Sequence, residues 1–221
     1  MNNIKPQNGF GLGLMSAMAR RAKGDKICAA ILSCSSGDGA SEVIARLAAS
    51  AIAGGRKIAL LDFNFAHPSP SLLSDMKPRD IASLIRQESD EIILCPGEGV
   101  YWAAPIKGDD SLATRINIRQ IKSLLARFHE NFEMVIIDAP ALLNSNLGEI
   151  IALAADQTYL VVRQESTTHH QVHHAIERLQ NIGVEPAGLI YNDRSLPIPD
   201  ALYKILFTRR QMAPKTLTGL K

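Results

Sequence analysis

Apolar residues in this chain gather into short unbroken runs, separated by stretches in which they recur every three or four positions. The runs at 27–33, 57–62, 134–138, 158–162 and 187–191 show no alternation of apolar and polar side chains. That pattern predicts strands buried on both faces. Between them, 40–53 places Val43, Ile44, Leu47, Ala48 and Ala51 at helical spacing, then stops at Gly54-Gly55. Segment 116–129 sets Ile118, Ile121, Leu125 and Phe128 on one side of a helix. Segments 148–155 and 168–181 read as two more helices, the second ended by Gly183. Segment 79–87 reads as a short helix after a loop marked by Pro68 and Pro70. Segments 92–95 and 100–104 read as strands around the turn Pro96-Gly97-Glu98-Gly99. Strand and helix therefore alternate. The expected fold class is α/β, a doubly wound and mostly parallel sheet with helices on both faces.

Length and composition narrow this little. The 221 residues are 46% hydrophobic and 21% charged, which suits one globular unit with a sizeable core and argues against disorder. The longest apolar runs, 27–32 and 150–155, fall far short of the about 20 residues of a spanning helix. Segment 1–24 lacks a continuous apolar stretch, so no export signal is expected. Cys28, Cys34 and Cys95 form no CxxC pair and are expected as reduced, small apolar side chains in a cytoplasmic protein.

Charge is distributed unevenly. Residues 1–26 and 193–221 each carry +4, leaving −6 for 27–192 in a chain whose total is +2. The expected organisation is a basic, partly apolar segment at 1–26, a main domain at 27–192 and a basic tail at 193–221. Basic ends suit an anionic surface, either lipid headgroups or nucleic acid, and equally suit solubilising tails. In the tail, Leu202, Ile205 and Leu206 form the apolar stripe of a short amphipathic helix ending in Arg209 and Arg210. It could lie on lipid or pack on its own domain. Phe10, Leu12, Leu14, Met15 and Met18 form a second apolar segment, which could dock a membrane partner or pack on the sheet.

Candidate chemistry sits where strands end. Ligands of open α/β sheets bind outside the strand carboxyl ends. The first such loop runs Ser33-Cys34-Ser35-Ser36-Gly37-Asp38-Gly39-Ala40-Ser41-Glu42. Gly37 and Gly39 let the backbone turn and present N–H groups at a helix N-terminus, a place for an anion. A phosphate-binding loop ends Gly-Lys-Ser/Thr; Gly39 and Ser41 fit, and Ala40 stands at the lysine position. Asp62 and Asp138 each close an apolar strand and could hold magnesium, or serve as turn and cap residues. Asn192 closes the last strand with an amide able to read a purine edge. His169, His170, His173 and His174 share one helix at i,i+4 spacing; a solvated face explains them more simply than a metal site.

In this order the loops resemble the deviant P-loop ATPases of the MinD/ParA class, and within it the bacterial tyrosine kinases of capsule and exopolysaccharide systems. The resemblance spans about residues 27–192. It rests on Ser36–Glu42 for the Walker A loop, Leu61–Pro68 for the second motif, Val135–Pro140 for Walker B, and Gly188 with Asn192 on the last strand. It implies a nucleotide crevice for ATP or ADP formed by Ser36, Gly37, Asp38, Gly39, Ala40, Ser41, Glu42 and Asn192. It places Mg2+ on Ser41, Asp62 and Asp138, and catalysis, if any, on Asp62 and Asp138. It also implies an inner-membrane polysaccharide co-polymerase as partner, peripheral attachment to the cytoplasmic face, and dimers or larger oligomers; nucleic acid is not expected. Several family features are missing. Ala40 replaces the lysine, Ser35 and Ser36 leave no second lysine before the glycines, Asn64 replaces an aspartate and Ala66 an arginine. The family's tyrosine-rich tail reduces to Tyr203, and the Glu/Arg-patterned helix behind ring assembly is not visible in 1–26. The expectation is a degenerate member that binds a partner and hydrolyses ATP weakly or not at all. The alternatives are an active ATPase that positions cargo on membrane or nucleoid, and an active tyrosine kinase.

Overall fold

The computed structural model of the chain describes residues 9–22, 24–64, 79–80, 101–107, 115–164 and 166–192. Twelve elements follow in order: α1 Phe10–Arg21, β1 Ile27–Ser33, α2 Ala40–Ala53, β2 Ile58–Asp62, β3 Arg79–Asp80, β4 Tyr101–Lys107, α3 Ile118–Asn131, β5 Met134–Ala139, α4 Leu147–Ala154, β6 Gln157–Arg163, α5 His169–Asn181 and β7 Gly188–Asn192. The strands form a seven-stranded sheet in the order β3-β4-β2-β5-β1-β6-β7. Every pairing in it is parallel.

The unbroken apolar runs are explained by two cores, one on each face of the sheet. Successive strand side chains point to opposite faces. On one face Ala30, Leu32, Leu61, Val135, Ile137, Leu160 and Val162 meet α3, α4 and α5 through Ile121, Phe128, Ile151 and Leu179. On the other face Ile27, Ala29, Ile31, Ile58, Leu60, Ile136 and Val161 meet α2 through Val43, Ile44, Leu47 and Ala51. A strand covered on both sides needs no polar face, so all seven residues of β1 are buried.

The apolar segment at 10–18 packs onto the sheet. Helix α1 buries Met18 completely in the second core, with Phe10, Leu14 and Met15 packed beside it. Gln157 Nε2 donates to Met18 O at 2.9 Å and ties the helix to β6. Gly11 lets α1 approach α2, since a Cβ there would lie 2.0 Å from Ser50 Oγ.

Helix starts are set locally. Asn117 and Gln120 close a reciprocal capping box at α3, and Thr168 and Gln171 do the same at α5. Those caps shift the observed helices to 118–131 and 169–181. One expectation is corrected. Arg79 and Asp80 do not open a helix; they form a two-residue edge strand whose register partners on β4 are Ile106 and Lys107. A strand pairing made across the sheet overrides the local helical pattern there. The rest of 81–87, the strand expected at 92–95, Cys95, the tail helix and Tyr203 lie outside the described residues. Cys28 and Cys34 are buried and unpaired. Burial pushes both thiols up to about 12, so both are protonated where no metal ion is bound. Among the described residues no helix is long and apolar enough to cross a membrane.

Candidate functional site

The sheet order creates a crevice between β1 and β5. The chain leaves β1 through α2 on one face and leaves β5 through α4 on the other. The two connections diverge, and the carboxyl ends of β1 and β5 are left open between them, the place where such folds bind ligands. The loop after β1 therefore faces the end of β5. Ser41, in the first turn of α2, donates from Oγ to Asp138 Oδ2 at 2.5 Å. Asp62 and Asp138 are register partners on adjacent strands and are both buried, each 4% exposed. Asn64 N donates to Asp62 Oδ1 at 2.9 Å.

Asp138 carries the electrostatic tension of the site. Burial, with the nearby Asp62 charge adding to it, lifts its carboxyl to about 7, while the Ser41 hydrogen bond acts the other way. Its Oδ1 is enclosed and has no hydrogen-bond partner among the described residues. An unpartnered buried carboxylate oxygen beside a second carboxylate and a hydroxyl fits a hard divalent cation. The residues that would hold Mg2+ are thus Ser41, Asp62 and Asp138, and the ion would supply positive charge against phosphate oxygens.

The pKa shift has a measurable consequence. Asp138 is protonated in the folded protein over a range in which the unfolded chain, near 3.8, is already ionised. Its stabilising contribution is complete below pH 3.8 and is lost as pH rises to about 7. Urea unfolding of the wild type should lose on the order of 1 kcal/mol per pH unit within that window. Asp138→Asn should flatten this part of the profile; a slope identical to wild type would contradict the assignment.

The glycine-rich loop is held by its own side chains and by β6 and β7. Gly37 and Gly39 have φ of 93° and 91°, the left-handed region. Asp38 is 4% exposed and turns its carboxylate inward, accepting from Ser35 N at 2.9 Å and from Thr167 Oγ1 at 2.8 Å. Arg163 Nη1 reaches Gly37 O at 3.4 Å. Asn192 Nδ2 donates to Asp38 O at 3.2 Å and lies 3.4 Å from Glu42 Oε2. Asn192 is 3% exposed, so its amide nitrogen is engaged with the loop, and its Oδ1 lacks a partner among the described residues. Ser36 and Glu42 are exposed at the rim. A cavity of about 420 Å3 opens here, lined by Ser33, Ser36, Gly37, Gly39, Ala40, Ser41, Asn64 and Ala141.

The structure thus brings Ser36 to Ser41, Glu42, Asp62, Asp138 and Asn192 to one end of the sheet. Position 40 is a buried alanine in the wall of the cavity. Arg163 and Thr167 were missed by sequence reasoning. Arg163 closes β6 and Thr167 lies on the loop after it; their only signal was their place just after the apolar run 158–162. The four histidines of α5 are all exposed, and His173 pairs with Glu177 of its own helix at 3.3 Å.

Comparison with known proteins gives relatives on both sequence and fold. No family model matches the chain. A protein described as "Putative tyrosine-protein kinase EpsB" from Ralstonia nicotianae is 27% identical over 162 residues, 71% of this chain and 21% of its own length. Its counterpart in Ralstonia solanacearum is 26% identical over the same extent. The chain therefore spans about a fifth of the curated relatives it matches. Among solved structures, the kinase domain of the Escherichia coli tyrosine kinase ETK superposes with a TM-score of 0.69 at 18% identity, covering 84% of this chain and 75% of that one. A ParA family ATPase from Chlorobium tepidum gives 0.59 at 14% identity, with 83% and 81% covered. Cobyrinic acid a,c-diamide synthase from Mycobacterium smegmatis, solved with an ATP analogue and magnesium, gives 0.62 at 16%, with 82% of each covered. The chain has the doubly wound P-loop fold of MinD/ParA-type ATPases and, in sequence and in fold, resembles the bacterial tyrosine kinase domains.

Proposed function

We propose that this chain is a tyrosine-kinase-like P-loop protein that has kept the crevice and lost most of its phosphate chemistry. It acts in exopolysaccharide biosynthesis or export by binding an inner-membrane co-polymerase, and lies on the cytoplasmic face of the membrane as a peripheral protein. The observation that carries this reading is Ala40, a buried methyl in the cavity wall at the position where the resembled family has a lysine. A methyl group supplies no charge to stabilise a transferring phosphoryl group. The relatives' name supports the kinase lineage, and the oxygen ligands Ser41, Asp62 and Asp138 support residual Mg-nucleotide affinity. Partner binding and membrane attachment belong to this proposal alone.

Calorimetric titration of the wild-type chain with Mg-ATP and Mg-ADP tests the nucleotide half. Weak or absent binding and no turnover are expected. Robust hydrolysis by the wild type overturns the reading. Co-purification from membranes tests the other half: a polysaccharide co-polymerase should be recovered equally with and without nucleotide.

A second reading, an active ATPase of the MinD/ParA type, draws on two observations. The unpartnered Asp138 Oδ1 keeps the cation site poised, and Arg163 brings a guanidinium onto the loop. ATP-dependent dimerisation of the wild type would favour it.

A further inference from the structure

We propose a zinc-binding site at the end of the sheet opposite the crevice, formed by Cys28, His129 and Asp156. Cys28 lies near the amino end of β1, His129 in the last turn of α3, and Asp156 in the turn between α4 and β6. Their candidate ligand atoms, one thiol sulphur, one ring nitrogen and one carboxylate oxygen, all lie within 4.8 Å of one another. They form the one cluster of three or more such side chains among the described residues.

The second observation concerns His129. Both of its ring nitrogens are enclosed; the Phe132 backbone lies beside the ring, yet neither nitrogen makes a well-formed hydrogen bond among the described residues. An imidazole needs at least one partner when its nitrogens are shut away from water. Cys28 is 2% exposed and Asp156 is exposed, so the cluster runs from the core to solvent. A cavity of about 490 Å3, lined in part by Asp25, Lys26 and Asp156, touches the cluster at Asp156.

The donor set selects the metal. Thiolate, imidazole and carboxylate together suit Zn2+ rather than Mg2+ or Ca2+, which take oxygen. Zinc bonds of about 2.0–2.3 Å in a tetrahedron put donors roughly 3.5 Å apart. The three groups need a closure of about 1 Å, within reach of side-chain rotation, because the backbone is already fixed. Asp156 N donates to Cys28 O at 3.1 Å, and Ile27 N to Glu133 O at 2.9 Å. Lys26 places its ammonium on the His129 carbonyl, near enough for its charge to act on the ring as well. Binding releases the Cys28 thiol proton to solvent and leaves the fourth position to water. The net charge of ion, thiolate and carboxylate is zero, which suits a half-buried place. The ion would clamp the start of β1 to α3 and to the α4–β6 turn.

The test uses the untagged 221-residue chain, freed of metal with a chelator and kept reduced without added thiol. Co2+ is titrated and read by absorption; Zn2+ affinity follows by competition. The expected result is one equivalent of four-coordinate cobalt with a thiolate charge-transfer band. Cys28→Ser should abolish the band. His129→Gln and Asp156→Asn should each weaken binding at least tenfold. The double variant His170→Gln, His174→Gln should leave the band unchanged, since those side chains lie on the solvated face of α5. No thiolate band on the wild type overturns the proposal, as does a band that survives Cys28→Ser or an affinity unmoved in Asp156→Asn. Cys28 lies in the core, so Asp156→Asn, at an exposed turn, decides the outcome if Cys28→Ser fails to fold.

Discussion

Ala40→Lys should raise Mg-ATP affinity by at least tenfold and up to about a thousandfold. The upper figure follows from Coulomb's law: a unit charge about 4 Å from a phosphate oxygen is worth roughly 4 kcal/mol at an effective dielectric of 20. The lower figure allows for desolvating the ammonium and ordering its stem. Position 40 opens α2 and lines the cavity, so a lysine there starts from the wall that faces Ser36 and Gly37. The oxygen ligands are already in place, with Ser41 bonded to Asp138 and Asp62 in register with Asp138. Titration calorimetry of the variant against the wild type reads the gain. Equal affinities would mean that the missing charge is not what limits the crevice, and that Arg163 or a partner supplies it.

Gly39→Ala should destabilise the protein by about 2–4 kcal/mol, while Gly37→Ala should cost about half as much or less. Both residues have φ near +90°, so each substitution carries the left-handed strain of about 1–2 kcal/mol. Their surroundings differ. A Cβ on Gly37 meets nothing within 4 Å, whereas one on Gly39 would lie 2.0 Å from Asn192 Nδ2. That amide must move and give up its bond to Asp38 O, leaving a buried polar group unpaired at about 1–3 kcal/mol. Urea unfolding of the two variants measures the difference. Equal losses would show that the Asn192 contact contributes nothing to holding the loop.

These two sites also show what could be read early. The lysine gap at Ala40 is a fact of sequence, visible once Gly39 and Ser41 frame it. The tight turn at Gly37 and Gly39 is equally local. The closeness of Gly39 to Asn192 is not, because 153 positions separate them and only the pairing of β7 with β6 brings them together. The sequence offers Asn192 as an amide able to read a purine edge. Its amide nitrogen faces the loop, since β7 ends level with Arg163, and its Oδ1 has no partner among the described residues. The helix expected at 79–87 is where reading along the chain failed. Its first two residues pair with β4, a contact that no window of nearby residues contains.

The sequence by itself determined the class of fold, the place of most strands and helices, and the loops that carry chemistry. It could do so because a strand buried on both faces must be apolar throughout, and a helix covering it must be apolar every third or fourth residue. Turns and caps are local too, so Gly37, Gly39, Gly54 and Thr168 mark boundaries without knowledge of what packs where. Tertiary structure decided the rest. Inserting β5 between β1 and β2 set Asp62 against Asp138 and brought Ser41 to a residue 97 positions away. The same order gathered Cys28, His129 and Asp156 at the other end of the sheet. Strand order is chosen by how whole faces bury one another, and periodicity along the chain carries no record of that choice.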